Sequence, residues 1–145
     1  MKIEMTVWDA AFMRTVCYGA PARHEEIKEA RKLRCRLERE PAAYYEEAQV
    51  EIMDGGRFRI NGDPNIPVEI DMTVGELSLV DGLARRIVWD PKANSAALID
   101  RAYDFVEDSL AGWMEEAKAD EMYQTLPASQ KAALRKRAKR DENEK

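Results

Sequence analysis

Histidine occurs once in this chain of 145 residues, at position 24, and cysteine only twice, at 17 and 35. A catalytic histidine needs an orienting partner and a nucleophile, whereas His24 opens a helical pattern beside Glu25 and Glu26, so it reads as a surface residue. Two thiols far apart in sequence make no disulfide framework and leave zinc short of ligands. Both cysteines fall among apolar residues of helical patterns and are expected to be reduced and buried. No run approaches the roughly 18 apolar residues of a membrane span, and the opening MKIEMTVWDA lacks the basic start and apolar stretch of a signal peptide. The expectation is a soluble, cytoplasmic protein with no membrane role. Glycines never form GxGxxG or a P-loop, and Ser78, Ser95, Ser109 and Ser129 have no nucleophile-elbow glycines around them. These absences point away from enzymes and predict neither cofactor nor metal.

What is abundant is charge. Charged residues make up 35% and hydrophobic ones 45%, enough for one core but not for two. The formal charge of −5 is unevenly spread: residues 128–145 hold seven Lys and Arg against three Asp and Glu, leaving 16 against 25 in residues 1–127. The chain therefore divides into a single domain, 1–127, and a basic C-terminal helix with a charged tail, 128–145.

The phrase Ile3-Glu4-Met5-Thr6-Val7 returns as Ile70-Asp71-Met72-Thr73-Val74. Alternation of apolar and polar residues predicts a strand, and the threonine predicts a helix N-cap, with Asp9 in the first turn and Thr73-Val-Gly-Glu76 as a capping box. The phrase reads as a strand-to-helix joint, and shared capping chemistry explains the likeness without a duplication. Between the joints, Ile27, Ala30, Leu33 and Leu37 line a helix over Arg23–Glu40 that Pro41 stops. Val50 and Ile52, then Phe58 and Ile60, predict a hairpin turning at Asp54-Gly55-Gly56, followed by a strand from Ile66 to Met72. With the first strand included, these segments predict an α+β fold: a small antiparallel sheet of three to four strands with helices packed on one face. After Trp89, Asp90-Pro91 predicts a helix start, with a restart at Asn94-Ser95. From there a long helix carries the stripe Ile99, Ala102, Val106, Leu110, Trp113 and Ala117, with Gly112 as a possible bend. A last helix covers about 128–140, ahead of a frayed DENEK end.

Function then has to come from surfaces. The exposed sheet face carries Glu51, Arg57, Arg59, Glu69 and Asp71, charges of both signs that suggest cross-strand ion pairs and not the aromatic platform of an RNA-binding sheet. The long helix is rich in acids, and Asp104, Glu107, Asp108 and Glu115 with the aromatics Trp113 and Tyr123 form the expected surface for a larger protein or complex. Leu79, Leu83, Met114 and Met122 fall partly off the main stripes and suggest a further apolar surface, for a homodimer or another partner. The leading reading is a non-enzymatic interaction protein, an adaptor or inhibitor. The alternative is a nucleic-acid-binding accessory protein using Lys28, Arg31, Lys32 and Arg36 together with Lys131, Arg135, Lys136, Arg137, Lys139 and Arg140. A carboxylate-dependent metal enzyme built on Glu69 and Asp71 ranks third.

Overall fold

The computed structural model describes residues 1–53 and 56–143, with side chains as far as Arg140. The turn residues Asp54 and Gly55 and the extreme end of the DENEK segment lie outside the described residues. The order is β1 (Lys2–Thr6), α1 (Val7–Gly19), a 3₁₀ turn (His24–Glu26), α2 (Ile27–Arg39), α3 (Ala42–Glu47), β2 (Val50–Ile52), β3 (Phe58–Ile60), β4 (Pro67–Asp71), α4 (Val74–Arg85), α5 (Ala96–Asp104), a π-helical segment (Phe105–Leu110), α6 (Ala111–Gln124) and α7 (Ala128–Asn143).

Both joints form as the sequence predicts. Thr6 Oγ1 accepts from Asp9 N at 3.2 Å while the Asp9 carboxylate accepts from Thr6 N at 3.0 Å. Thr73 and Glu76 repeat this reciprocal box at 3.1 and 3.0 Å. A cap of this kind contributes about 1 kcal/mol. The repeated phrase has a further consequence in space, because the two copies are antiparallel neighbours with Ile3 opposite Ile70 and Met5 opposite Val68. Their inward faces are buried and their outward faces, Lys2, Glu4, Glu69 and Asp71, are exposed.

The α+β class stands, but the single sheet of three to four strands does not. There are two antiparallel two-stranded sheets, β1-β4 and β2-β3, among the described residues. The physical reason lies just after β3, where Asn61 N donates to Gln49 O and Gly62 N to Ala48 O, at 3.1 and 2.8 Å. These bonds fold the chain back on the start of its own hairpin and turn it away from β3. A Cβ at Gly62 would stand 2.6 Å from the Ala48 carbonyl, so only glycine permits the approach. β4 then finds β1, and Val7 N and Trp8 N extend the pairing to Ile66 O and Pro64 O.

Helix α1 runs through the centre. Val7, Ala10, Ala11, Met13 and Val16 are all fully enclosed, and Arg14 is the one charged residue among the described ones that is buried with them. Helix α2 buries Ala30, Leu33 and Leu37 against α1. Cys35 points the other way and is exposed, correcting the expectation that both thiols are buried: two residues beyond Leu33, it lies about 200° around the helix. Cys17 is half-buried, and burial pushes its thiol up to about 12.

The long helix is continuous from α5 to α6. Ser95 Oγ caps it by accepting from Leu98 N at 3.1 Å. Its irregularity lies in the π-helical stretch, and not at Gly112, where the sequence placed a bend. The extra residue per turn brings Phe105 into the core beside Val106 and Leu110, adding a side chain that regular helical spacing left off the stripe. Leu83 also belongs to the core, and Leu79 and Met114 pack against it, whereas Met122 is exposed.

Candidate functional site

The acids named from sequence share one rod. Asp104, Glu107, Asp108 and Glu115 are all exposed along α5, the π segment and α6. Glu107 is engaged at 3.1 Å by Arg85 Nη1, which is itself held by Asp81 through Nε at 3.0 Å. Trp113 is placed differently from its expected role as a free anchor. It is half-buried, and its ring meets Phe105 edge-on at 5.6 Å.

Tyr123 stands at the root of α7. Its hydroxyl accepts from Arg135 Nε at 2.9 Å, and Lys131 Nζ lies 5.6 Å from its ring centre. Beyond this anchor no described side chain of α7 is buried, and Lys136, Arg137, Lys139 and Arg140 face solvent. Among the described residues none of the six basic groups of 131–140 pairs with an acid. Among the described residues no ion pair joins the basic arm to the acidic rod of its own chain. Five of its six cations fall within half the circumference, since Lys131, Arg135, Lys139, Lys136 and Arg140 succeed one another around a helix of 3.6 residues per turn.

The second basic strip is not equivalent. Lys28, Arg31 and Lys32 are exposed, Lys32 lying 3.5 Å from Glu29. Arg36 is committed internally: it binds Glu76 and the Asp71 carbonyl, and reaches Glu40 at 3.2 Å. These contacts join α2 to the β4-α4 joint. At the opposite end Arg86 holds Glu26 through two hydrogen bonds, one of 3.1 Å, and donates to the Pro21 carbonyl at 3.2 Å. The Arg86 guanidinium, then the Arg23 backbone N–H, keep the Glu26 carboxyl below the ordinary glutamate value.

Sequence reasoning passed over two features. The first is Arg14, whose Nε donates to Glu38 at 3.1 Å and whose Nη1 donates to the Gly56 carbonyl at 3.3 Å. A lone charge inside the run from Ala10 to Val16 was the available signal. The second is an aromatic cluster on the α1 side of the loop between α4 and α5. Trp8 stacks on Phe12 at 4.9 Å and 10°, and Phe12 on Trp89 at 6.4 Å and 15°. Phe58 meets Trp8 edge-on at 6.2 Å. These rings wall a cavity of about 390 Å³ with Arg57 and Asn94 at its polar side. Trp89 also borders a second cleft of about 340 Å³ that includes Tyr103 and Val106. Its components come from four separate segments, which periodicity within one element does not connect.

Glu69 and Asp71 sit on the open sheet face, near Lys2 at 3.6 Å and the amino terminus at 2.8 Å respectively. Among the described residues no three of His, Cys, Asp and Glu come together as a metal-binding group, and no helix is long and apolar enough to cross a membrane. Comparison with protein-family models, curated proteins and solved structures gives no match.

Proposed function

We propose that this is a non-enzymatic interaction protein, an adaptor or inhibitor, that engages an acidic surface of a larger protein through α7 while the acidic rod steers approach and orientation. One observation carries the reading: α7 stands clear of the body with its cations solvated, although an acidic helix precedes it directly in the chain. An isolated helix of this length is marginal in water, and a protruding cationic one gains most from a surface of opposite charge. Desolvating those cations against carboxylates would supply specificity and a fast, salt-sensitive encounter.

The test compares the wild-type chain with a variant carrying Lys136→Glu, Arg137→Glu, Lys139→Glu and Arg140→Glu. Immobilised wild type is expected to retain defined protein partners from its native lysate after nuclease treatment, and the variant to lose them. The second reading, nucleic-acid binding, rests on the same one-sided cation array. It predicts direct binding of purified oligonucleotides that falls steeply with salt, and loss of captured proteins after nuclease. If both chains capture the same proteins and neither binds oligonucleotides, α7 is not the docking element.

A further inference from the structure

The cavity beneath Trp89 has features that the basic arm does not explain. Its size falls within the range of small-molecule sites, and its walls are mostly apolar, with four aromatic rings and few polar groups. Trp8, Phe12 and Trp89 stack in series, within 10° and 15° pair by pair, which leaves Trp8 and Phe12 buried and the half-buried Trp89 as the accessible ring. A rigid aromatic ring favours a flat ligand, because stacked or offset rings maximise contact without ordering a flexible chain.

Charge selects further. Arg57 is the only formally charged side chain in the lining, and no acid contributes to it among the described residues. Asn94 donates one N–H of its Nδ2 to the Asp90 carbonyl at 3.2 Å, which leaves its second N–H and its side-chain oxygen for a ligand. On the neighbouring cleft, Arg101 covers the Trp8 ring at 4.4 Å, but Asp9 and Asp104 line that cleft with it, so the anion preference rests on Arg57 alone. A guanidinium at the rim recognises a carboxylate, sulfonate or phosphate by charge-assisted hydrogen bonds, with the apolar body of the ligand against the rings.

The geometry points to a binding site for a small planar aromatic anion, with Trp8, Phe12 and Trp89 as its walls and Arg57 as its anion anchor. This site is independent of α7 and stands whether or not the interaction reading does.

The full chain, isotope-labelled, is titrated with naphthoate, naphthylmethanol and naphthylmethylamine while the indole N–H resonances are followed. Trp8 and Trp89 are expected to shift and saturate, and Trp113, which is not in the lining, to stay in place. Naphthoate is expected to bind about tenfold more tightly than the neutral alcohol, and the amine more weakly than either. Arg57→Gln removes the preference for the acid and leaves the affinity for the alcohol unchanged, which also certifies that the variant is folded. Equal affinities for all three probes, shifts confined to α7, or no saturation up to about 1 mM would each overturn the assignment.

Discussion

Gly56 ties the connection between β2 and β3 to α1. Its φ is +80°, and its carbonyl accepts from Thr15 Oγ1 at 2.7 Å as well as from the buried Arg14. A Cβ there would stand 2.3 Å from Tyr18 Cδ1, so an added methyl meets both a strained φ and a ring held between Arg14 and Arg34. Gly56→Ala is therefore expected to destabilise the protein by about 1–3 kcal/mol in urea denaturation. Gly75 makes the control. It lies in the first turn of α4 with only Thr73 Oγ1 near, at 3.7 Å, and Gly75→Ala is expected to be neutral or to stabilise by up to about 1 kcal/mol. Equal losses at both positions would show that helix propensity and turn geometry, and not the Tyr18 contact, govern them. The sequence marked Gly56 as a turn residue, but the partners that make it irreplaceable lie some forty positions away and leave no local pattern.

At the scale of elements, α2 is sutured to α4 at two points, and the suture titrates. Glu26 is held below its ordinary value by Arg86 first and by the Arg23 N–H second. In the folded state it therefore binds fewer protons than in the unfolded chain, so its contribution is complete above the ordinary glutamate range and is lost as pH falls through the lower folded value. Urea midpoints are expected to drop from neutral to acid pH, and Arg86→Met to show a shallower drop, with Glu26→Gln in the double variant removing only the smaller remainder held by the Arg23 N–H. Matching acid slopes in wild type and Arg86→Met would remove Glu26 from the account. The joints and most of the α2 stripe were legible because each is encoded within a few residues: Thr6 with Asp9, Thr73 with Glu76, Leu33 with Leu37. Ile27 of that stripe is exposed, and the long helix starts at Ser95 and not at Asp90-Pro91. Strand pairing was not, since alternation in β3 and β4 says which face is apolar and nothing about which edge meets which. The hydrogen bonds of Asn61 and Gly62 to Gln49 and Ala48 decided that, whereas the long stripe reads correctly and the π-helical turn adds only Phe105 to it. Arg36 looked like a solvated cation for the same reason, as its acceptors Glu76 and Asp71 belong to a distant joint.

For the whole molecule, the sequence divides an acidic body from a basic arm, and the arm's packing sets what its removal is expected to cost. Stability comes mainly from apolar surface removed from water, and no described side chain of α7 is buried. The contacts at its root, Arg135 and Lys131 with Tyr123, are an exposed hydrogen bond and a cation over a ring, each worth about 1 kcal/mol or less. Truncation after Pro127 is accordingly expected to change the unfolding free energy by no more than about 1 kcal/mol. The urea m-value is expected to stay the same, because m follows the area exposed on unfolding. A substantial fall in m would mean that α7 lies against the body in solution, with the acidic rod as the nearest surface of matching charge. That outcome would turn the arm from a docking element into an internal cover, and added salt would then destabilise the full chain more than the truncated one.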